Sequence, residues 1–394
     1  MANNIMQALY SSVSGLNAFQ DALDTISNNV SNMNTPGFRG SDSFFENVMD
    51  DDGTEVTGTG IDTSEGDLEQ TSTTTDAAIQ GQGLFILKDS QGNLYYTRDG
   101  QFEFNSSGQL VDSVNQYLVQ GYSSGGIGNI DISNLQTLPA VATTSVNMVG
   151  NIATTSSPYT VSDVTIYDAQ GTAEQLTVTL TSTSTSTTPT PSGSQSWNVV
   201  ISNSSGQTLG SGQVSFDSTG APEAGANEVT MTTTLGGQSQ SVVFNFGTAG
   251  GLSGATDIQG DTTNIAAQVQ NGNGIIGLSS EAFNTDGVLQ LTYANGTTKA
   301  GPQLALASFA DESSLQEVQG NLYLPPPGQT AQIGQPGTGI FGQIEGSSLE
   351  MSNVNLTQEL ADMIVLQRGY QASSQVMNVA SEMLQQLYSS LQGN

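Results

Sequence analysis

The sequence predicts an α+β chain: long N- and C-terminal helices that pair as a coiled coil into one end domain, with two mainly antiparallel β domains inserted between them. Three observations predict it. Apolar residues recur at three- and four-residue steps near both ends, the interior breaks into short alternating apolar runs between turn residues, and 394 residues exceed what one core usually serves.

Over residues 3–33 the apolar positions are Leu9, Val13, Leu16, Phe19, Leu23, Ile26 and Val30, which average 3.5 residues per step and describe a coiled-coil seam. At about 1.5 Å per residue such a rod is roughly 45 Å long. Asn34-Thr35-Pro36-Gly37 ends it, because Pro cannot continue a helix and disfavours helical geometry in the residue before it. Residues 40–75 are polar and acidic and read as an extended or hairpin-like connector. Asp50-Asp51-Asp52-Gly53 lies within it, but Glu55 stands where a calcium-binding EF-hand loop needs its Gly, so a solvated acidic turn is the better reading.

From Ala78 the pattern changes to GLFILKD, LYYT, QFEFN and NQYLVQGY, separated by SQGN, RDG and SSGQ. Alternating aromatic and β-branched residues between Gly-containing turns are hairpin signals. A second β region runs from about Val146 to Ala282, interrupted by the Thr/Ser-rich loop 181–196, which is too polar and repetitive to pack. The β pattern resumes at GVLQLTYANGTTKAGPQLALASFA, with a two-residue turn at Asn295-Gly296. The last helix spans Leu356 to Leu391. One of its heptad rows reads Met363, Tyr370, Met377, Leu384, Leu391; the other reads Leu360, Gln367, Ser374, Ser381, Tyr388. The expected domains are therefore 1–75 with 346–394, 76–145 with 284–345, and 146–283.

Charge narrows the function. There are 36 acidic against 5 basic residues, a formal net of −31, and no basic residue lies between Arg98 and Lys299. Nucleic acid and anionic lipid both require clustered cations, so neither is an expected partner. The chain has no Cys and no His, which removes thiol nucleophiles, disulfides, most zinc sites and the usual general base; no catalytic residue, metal site or cofactor is expected. GxSxG and complete phosphate-loop motifs are absent as well. The first residues carry no basic n-region and no continuous apolar run, so a Sec-type signal peptide is not expected, nor is a membrane span.

The two ends hold only about −4 of the −31, so most of the charge lies in the middle. A subunit that packs against its own copies must keep like charges out of the contacts. Terminal helices with apolar stripes and little neighbouring apolar cover therefore read as polymerisation elements that are marginal before assembly. Two other readings stay open on pattern alone: a monomer whose end helices pair over its own β domain, and an acidic β-rich adhesin or carbohydrate-binding module.

Residues 28–40, NNVSNMNTPGFRG, resemble the signature of the axial proteins of the bacterial flagellum, which include rod, hook and junction subunits; the matching positions are Asn28, Asn29, Asn34, Thr35, Pro36, Gly37 and Phe38. GQGLFILKDSQGNLYYTRDGQFEFNSSGQLV, GVLQLTYANGTTKAGPQLALASFA and LTQELADMIVLQRGYQASSQVMNVASEMLQQL resemble the same family. Length and the inserted second β domain favour the hook type over distal rod or junction subunits. The resemblance implies a subunit exported through the flagellar type III apparatus without a cleaved signal peptide. It implies polymerisation outside the cell into a short curved tube that passes torque as a universal joint. The implied partners are copies of itself, the distal rod protein, the hook cap protein and the hook-filament junction protein.

Overall fold

In the computed structural model, residues 2–48, 53–123, 125–153, 156–183, 195–258, 260, 262–319 and 321–392 are described. The run Asp50-Asp51-Asp52, most of the Thr/Ser-rich loop and the side chain of Leu391 lie outside the described residues. The helices are α1, Ala2–Ser31, and α2, Leu356–Gln392. Between them, the named elements among the described residues are all strands. None of the described helices is long and apolar enough to cross a membrane.

The chain divides into two units. The first contains residues 1–136, 279–292 and 296–394; the second contains 137–278 and 293–295. Residues 1–75 and 346–394, expected as an end domain apart from the first β domain, thus share one compact unit with it. Contacts of Asn321 with Pro36, Arg98 with Glu350 and Arg39 with Glu312 account for that merger.

In the first unit, strand Ser41–Val48 pairs with Gly53–Ile61 as an antiparallel hairpin, Ser41 opposite Ile61, so the predicted connector is a hairpin. The main sheet orders its strands as Val288–Tyr293, Thr298–Leu304, Leu118–Ser123, Leu84–Lys88, Leu94–Thr97, Leu322–Leu324 and Gln316–Val318. Leu84, Ile86, Tyr96, Ala305, Ala307, Phe309 and Tyr323 form its core, with Tyr96 and Phe309 edge to face at 4.7 Å. Two short pairings bind distant parts of the chain: Ala77–Gln80 with Gln343–Gly346, and Leu68–Gln70 with Ser348–Glu350.

The second unit is a sandwich around one core. Strands Tyr159–Tyr167, Ala173–Ser182, Gln195–Asn203 and Thr208–Phe216 form an antiparallel meander. In Ala173–Ser182 the residues Leu176, Val178 and Leu180 point inward and the intervening threonines outward, the two-residue period of a half-buried strand. The facing sheet is mixed: Ser145–Asn151 runs parallel to Gln238–Asn245 and to Ala255–Thr256, departing from the antiparallel expectation. Trp197 fills the middle of the core, and its Nε1 donates to buried Asp257 Oδ2 at 2.9 Å.

Among the described residues one turn occurs six times, as Asp/Asn-x-x-Gly beginning at Asp89, Asn105, Asp168, Asn203, Asp217 and Asn284. In each, the first side chain's Oδ1 accepts a backbone N–H from farther round the turn, such as Gln170 N at 2.9 Å and Thr172 N at 2.7 Å on Asp168. The Gly in fourth place has positive φ, between +70° and +94°, where a Cβ is strained.

Candidate assembly surface

Helix α1 packs lengthwise against α2. A Cβ added at Gly15 would meet Ser373 Oγ at 3.3 Å, the Phe19 ring lies over Gly369, and Asn29 Nδ2 donates to Glu359 Oε1 at 3.1 Å. Numbers rise on one helix as they fall on the other, so the pair is antiparallel. The closest approach is made by small residues: Ser12, Ala18 and Ala22 on α1 are buried, as is Ala380 on α2.

This placement resolves the predicted rows. Ile26 is buried in the helix interface, Leu9, Leu16, Phe19, Leu23 and Val30 are half-buried, and Val13 is exposed. On α2 the row Met363, Met377, Leu384 is half-buried, while Tyr370 is exposed. Of the second predicted row, Leu360, Gln367, Ser381 and Tyr388 are exposed and Ser374 is half-buried; the row facing α1 lies one position earlier, at Leu366, Ser373, Ala380 and Leu387. Weighting large apolar residues missed this, because two helices approach most closely where side chains are small. The glycines Gly15 and Gly369 are the signal that marks it.

Two apolar flanks remain. At 100° per residue, Leu9, Leu16 and Leu23 lie opposite Ser14, whose Oγ accepts the N–H of Thr54 in the hairpin at 2.8 Å; they therefore face away from the hairpin. Relative to the interfacial row of α2, the row of Met363, Tyr370 and Met377 turns about 60° one way, while Val365, Ala372 and Val379 turn about 100° the other. Val365 lines a groove together with Ser43 and Phe45 of the hairpin, which fixes its row on the hairpin side. That row continues through Val376 and Met383, and Val365, Val376, Val379 and Met383 are each half or more exposed. In the groove, the Glu359 carboxyl is pushed above its usual value by burial and by the nearby carboxylates of Asp362 and Asp42.

The signature residues form a knot at the end of α1. Asn29 Nδ2 donates to Ser41 O and Asn29 Oδ1 accepts from Ser41 N, both at 3.0 Å, which folds the hairpin back beside the helix. Asn28 O accepts the N–H of Asn32 at 3.1 Å, closing the last turn. Asn34 is exposed and Thr35 half-buried; Thr35 O accepts the N–H of Phe38, and Phe38 is buried. Pro36 O accepts from Asn321 Nδ2 at 3.1 Å. Gly37, at φ +70°, sits so close to the strand end that a Cβ would come within 2.6 Å of Asp99 Cα and 2.7 Å of Arg98 C. Its N–H donates to Glu350 O at 2.7 Å.

Glu350 joins this knot to the β framework. Its Oε2 accepts from Arg98 Nε at 2.6 Å, with both side chains almost fully buried, while Arg98 Nη1 donates to the Gly81 and Gly83 carbonyls and Nη2 to the Ile79 carbonyl. Arg39 makes the other ion pair among the described residues, with Glu312 at 3.4 Å. Sequence reading passed over both pairs; the scarcity of cations was the available signal, since two of only five are buried against carboxylates. No group of three or more acidic, His or Cys side chains suited to a metal occurs among the described residues.

The comparisons with known proteins follow the same layout. Residues 9–39 match the flagella basal body rod protein family, 78–188 the flagellar hook protein FlgE/F/G D1 domain, and 345–390 the flagellar basal body rod FlgEFG protein C-terminal family. The flagellar hook protein FlgE of Salmonella typhimurium is 30% identical over 411 residues, covering 95% of this chain and 98% of the relative. That of Escherichia coli K12 is 30% identical over 414 residues, covering 96% and 99%. This chain belongs to the flagellar hook protein family. It is a structural subunit of the bacterial flagellar hook, a family whose members polymerise with copies of themselves. The hook protein FlgE2 of Helicobacter pylori aligns with 72% of the chain at TM-score 0.42 and 14% identity.

Proposed function

We propose that this hook subunit polymerises through its paired terminal helices, which act as a coiled-coil end domain, into a short curved tube that bends while passing torque to the filament. The observation that carries this reading is the helix pair itself: it keeps one apolar flank exposed and another half-buried and holds little of the chain's charge, while the acidic residues concentrate in the β-rich middle. Apolar contacts without like-charge repulsion favour stacking of identical chains. Outer surfaces rich in Gly, Ser, Thr, Asn and Gln allow many near-equal, water-mediated arrangements, so neighbouring subunits slide at low cost. The role is mechanical and non-catalytic. Export proceeds without a cleaved signal peptide through the flagellar type III apparatus, and assembly joins the subunit to distal rod, hook cap and hook-filament junction proteins.

Negative-stain electron microscopy of the concentrated full-length chain in high salt tests this. Short curved tubes are expected, and straight rods would favour a rod role. Deleting residues 1–33 or 356–394 should abolish tubes while leaving the β-sheet circular-dichroism signal intact; tubes from either truncated chain would overturn the reading.

A further inference from the structure

We infer that subunits meet head to tail across the helix pair: the α1-side face of one copy, centred on Leu9, Leu16 and Leu23, docks on the row Val365, Ala372, Val376, Val379 and Met383 of a second copy. The inference rests on the self-assembly reading and adds the pairing of faces. The two apolar rows lie on opposite sides of the antiparallel pair, one turned away from the hairpin and one on the hairpin side. A single chain therefore cannot bring its own two rows together. Neither row contains a charged residue, although the chain carries −31, so a second copy is the partner they fit.

Symmetry decides between the ways two copies can use such rows. Like faces meeting give a closed two-fold dimer, with the other face left bare. Unlike faces meeting leave one donor and one acceptor row free after every addition, so growth continues as a ring or helix. Only the second arrangement covers both rows in every interior subunit while keeping all copies in the same orientation. The rows also match in kind: half-buried leucines on α1 present low ridges, and the exposed valines and Met383, with Ala372 between them, present ridges and a gap at heptad spacing.

Because the chain has no Cys, single cysteines report contacts without background. Leu16→Cys, Val379→Cys and the double variant are assembled in high salt, treated with a short bismaleimide and separated on a denaturing gel. The double variant should give a ladder of covalent oligomers. Each single variant alone should stay monomeric on the gel, and a mixture of the two should stop at dimers. Homodimers from either single variant would show like faces meeting and overturn the inference. Tubes that form but give no ladder, either from this double variant or from Leu23→Cys with Val376→Cys, would also overturn it while leaving self-assembly standing. If the unmodified chain forms no tubes, self-assembly itself fails, and the inference with it.

Discussion

Glu350 binds at three points: its carbonyl holds the Gly37 N–H, one carboxylate oxygen holds Arg98 Nε, and the other accepts from Gly66 N at 3.2 Å. Replacing it by Ala leaves a buried guanidinium unpaired, which typically costs about 3–5 kcal/mol. Glu350→Ala should therefore lower the thermal midpoint of the first unit by well over that of an exposed Glu→Ala control, read by circular dichroism. Beside it, burial pushes the Asp99 carboxyl up to about 6, with Asp112 and Asp76 adding repulsion. A carboxyl raised in the folded state disfavours folding above that pKa, and the penalty fades as pH falls through it. Between about pH 7 and pH 5 the wild type should gain about 1 kcal/mol from this group. Denaturant titrations should find that gain missing in Asp99→Asn; an equal gain in the variant would contradict the assignment. These residues were not legible in the sequence, because neither Arg98 nor Glu350 declares its partner 252 positions away.

The six Asp/Asn-x-x-Gly turns show what is legible at the scale of an element. Their Gly and Asx residues sit at fixed offsets between apolar runs, and the hairpins follow from that chemistry alone. Gly206 at φ +79° has open space where a Cβ would stand, whereas Gly171 at φ +86° would set one 2.9 Å from Ala140 Cβ and 3.0 Å from Ile275 N. Gly206→Ala should cost roughly 1–2 kcal/mol for the left-handed backbone alone. Gly171→Ala should cost more, and urea titration of the two variants checks the order. The helices were legible in extent but not in rotation. Their three- and four-residue steps gave the ends to within two residues, yet the row of α2 that meets α1 was displaced because Gly369, Ser373 and Ala380 weigh little on any hydropathy pattern.

For the whole molecule, charge was the most legible property and domain division the least. The sequence pattern separated the helical ends from the first β region, while the fold ties them together through the contacts of Asn321 with Pro36, Arg98 with Glu350 and Arg39 with Glu312, which no local pattern encodes. The charge segregation leads to a prediction at this scale. If the acidic middle repels its copies, screening should favour assembly, since the Debye length shrinks from about 10 Å at 0.1 M salt to about 3 Å at 1 M. The concentration at which tubes first sediment should fall as salt rises over that range, and an unchanged threshold would remove repulsion as the controlling term.

Gly40 N donates to Asn353 Oδ1 at 2.8 Å, and Asn353 Nδ2 in turn donates to the carbonyls of Asp62 and Ser64. Asn353 thus clasps the outgoing and the returning chain side by side, with more than three hundred residues between them. Every bond of this clasp lies within the first unit, so substitutions or changes of length confined to residues 137–278 leave the closure of the terminal helices untouched.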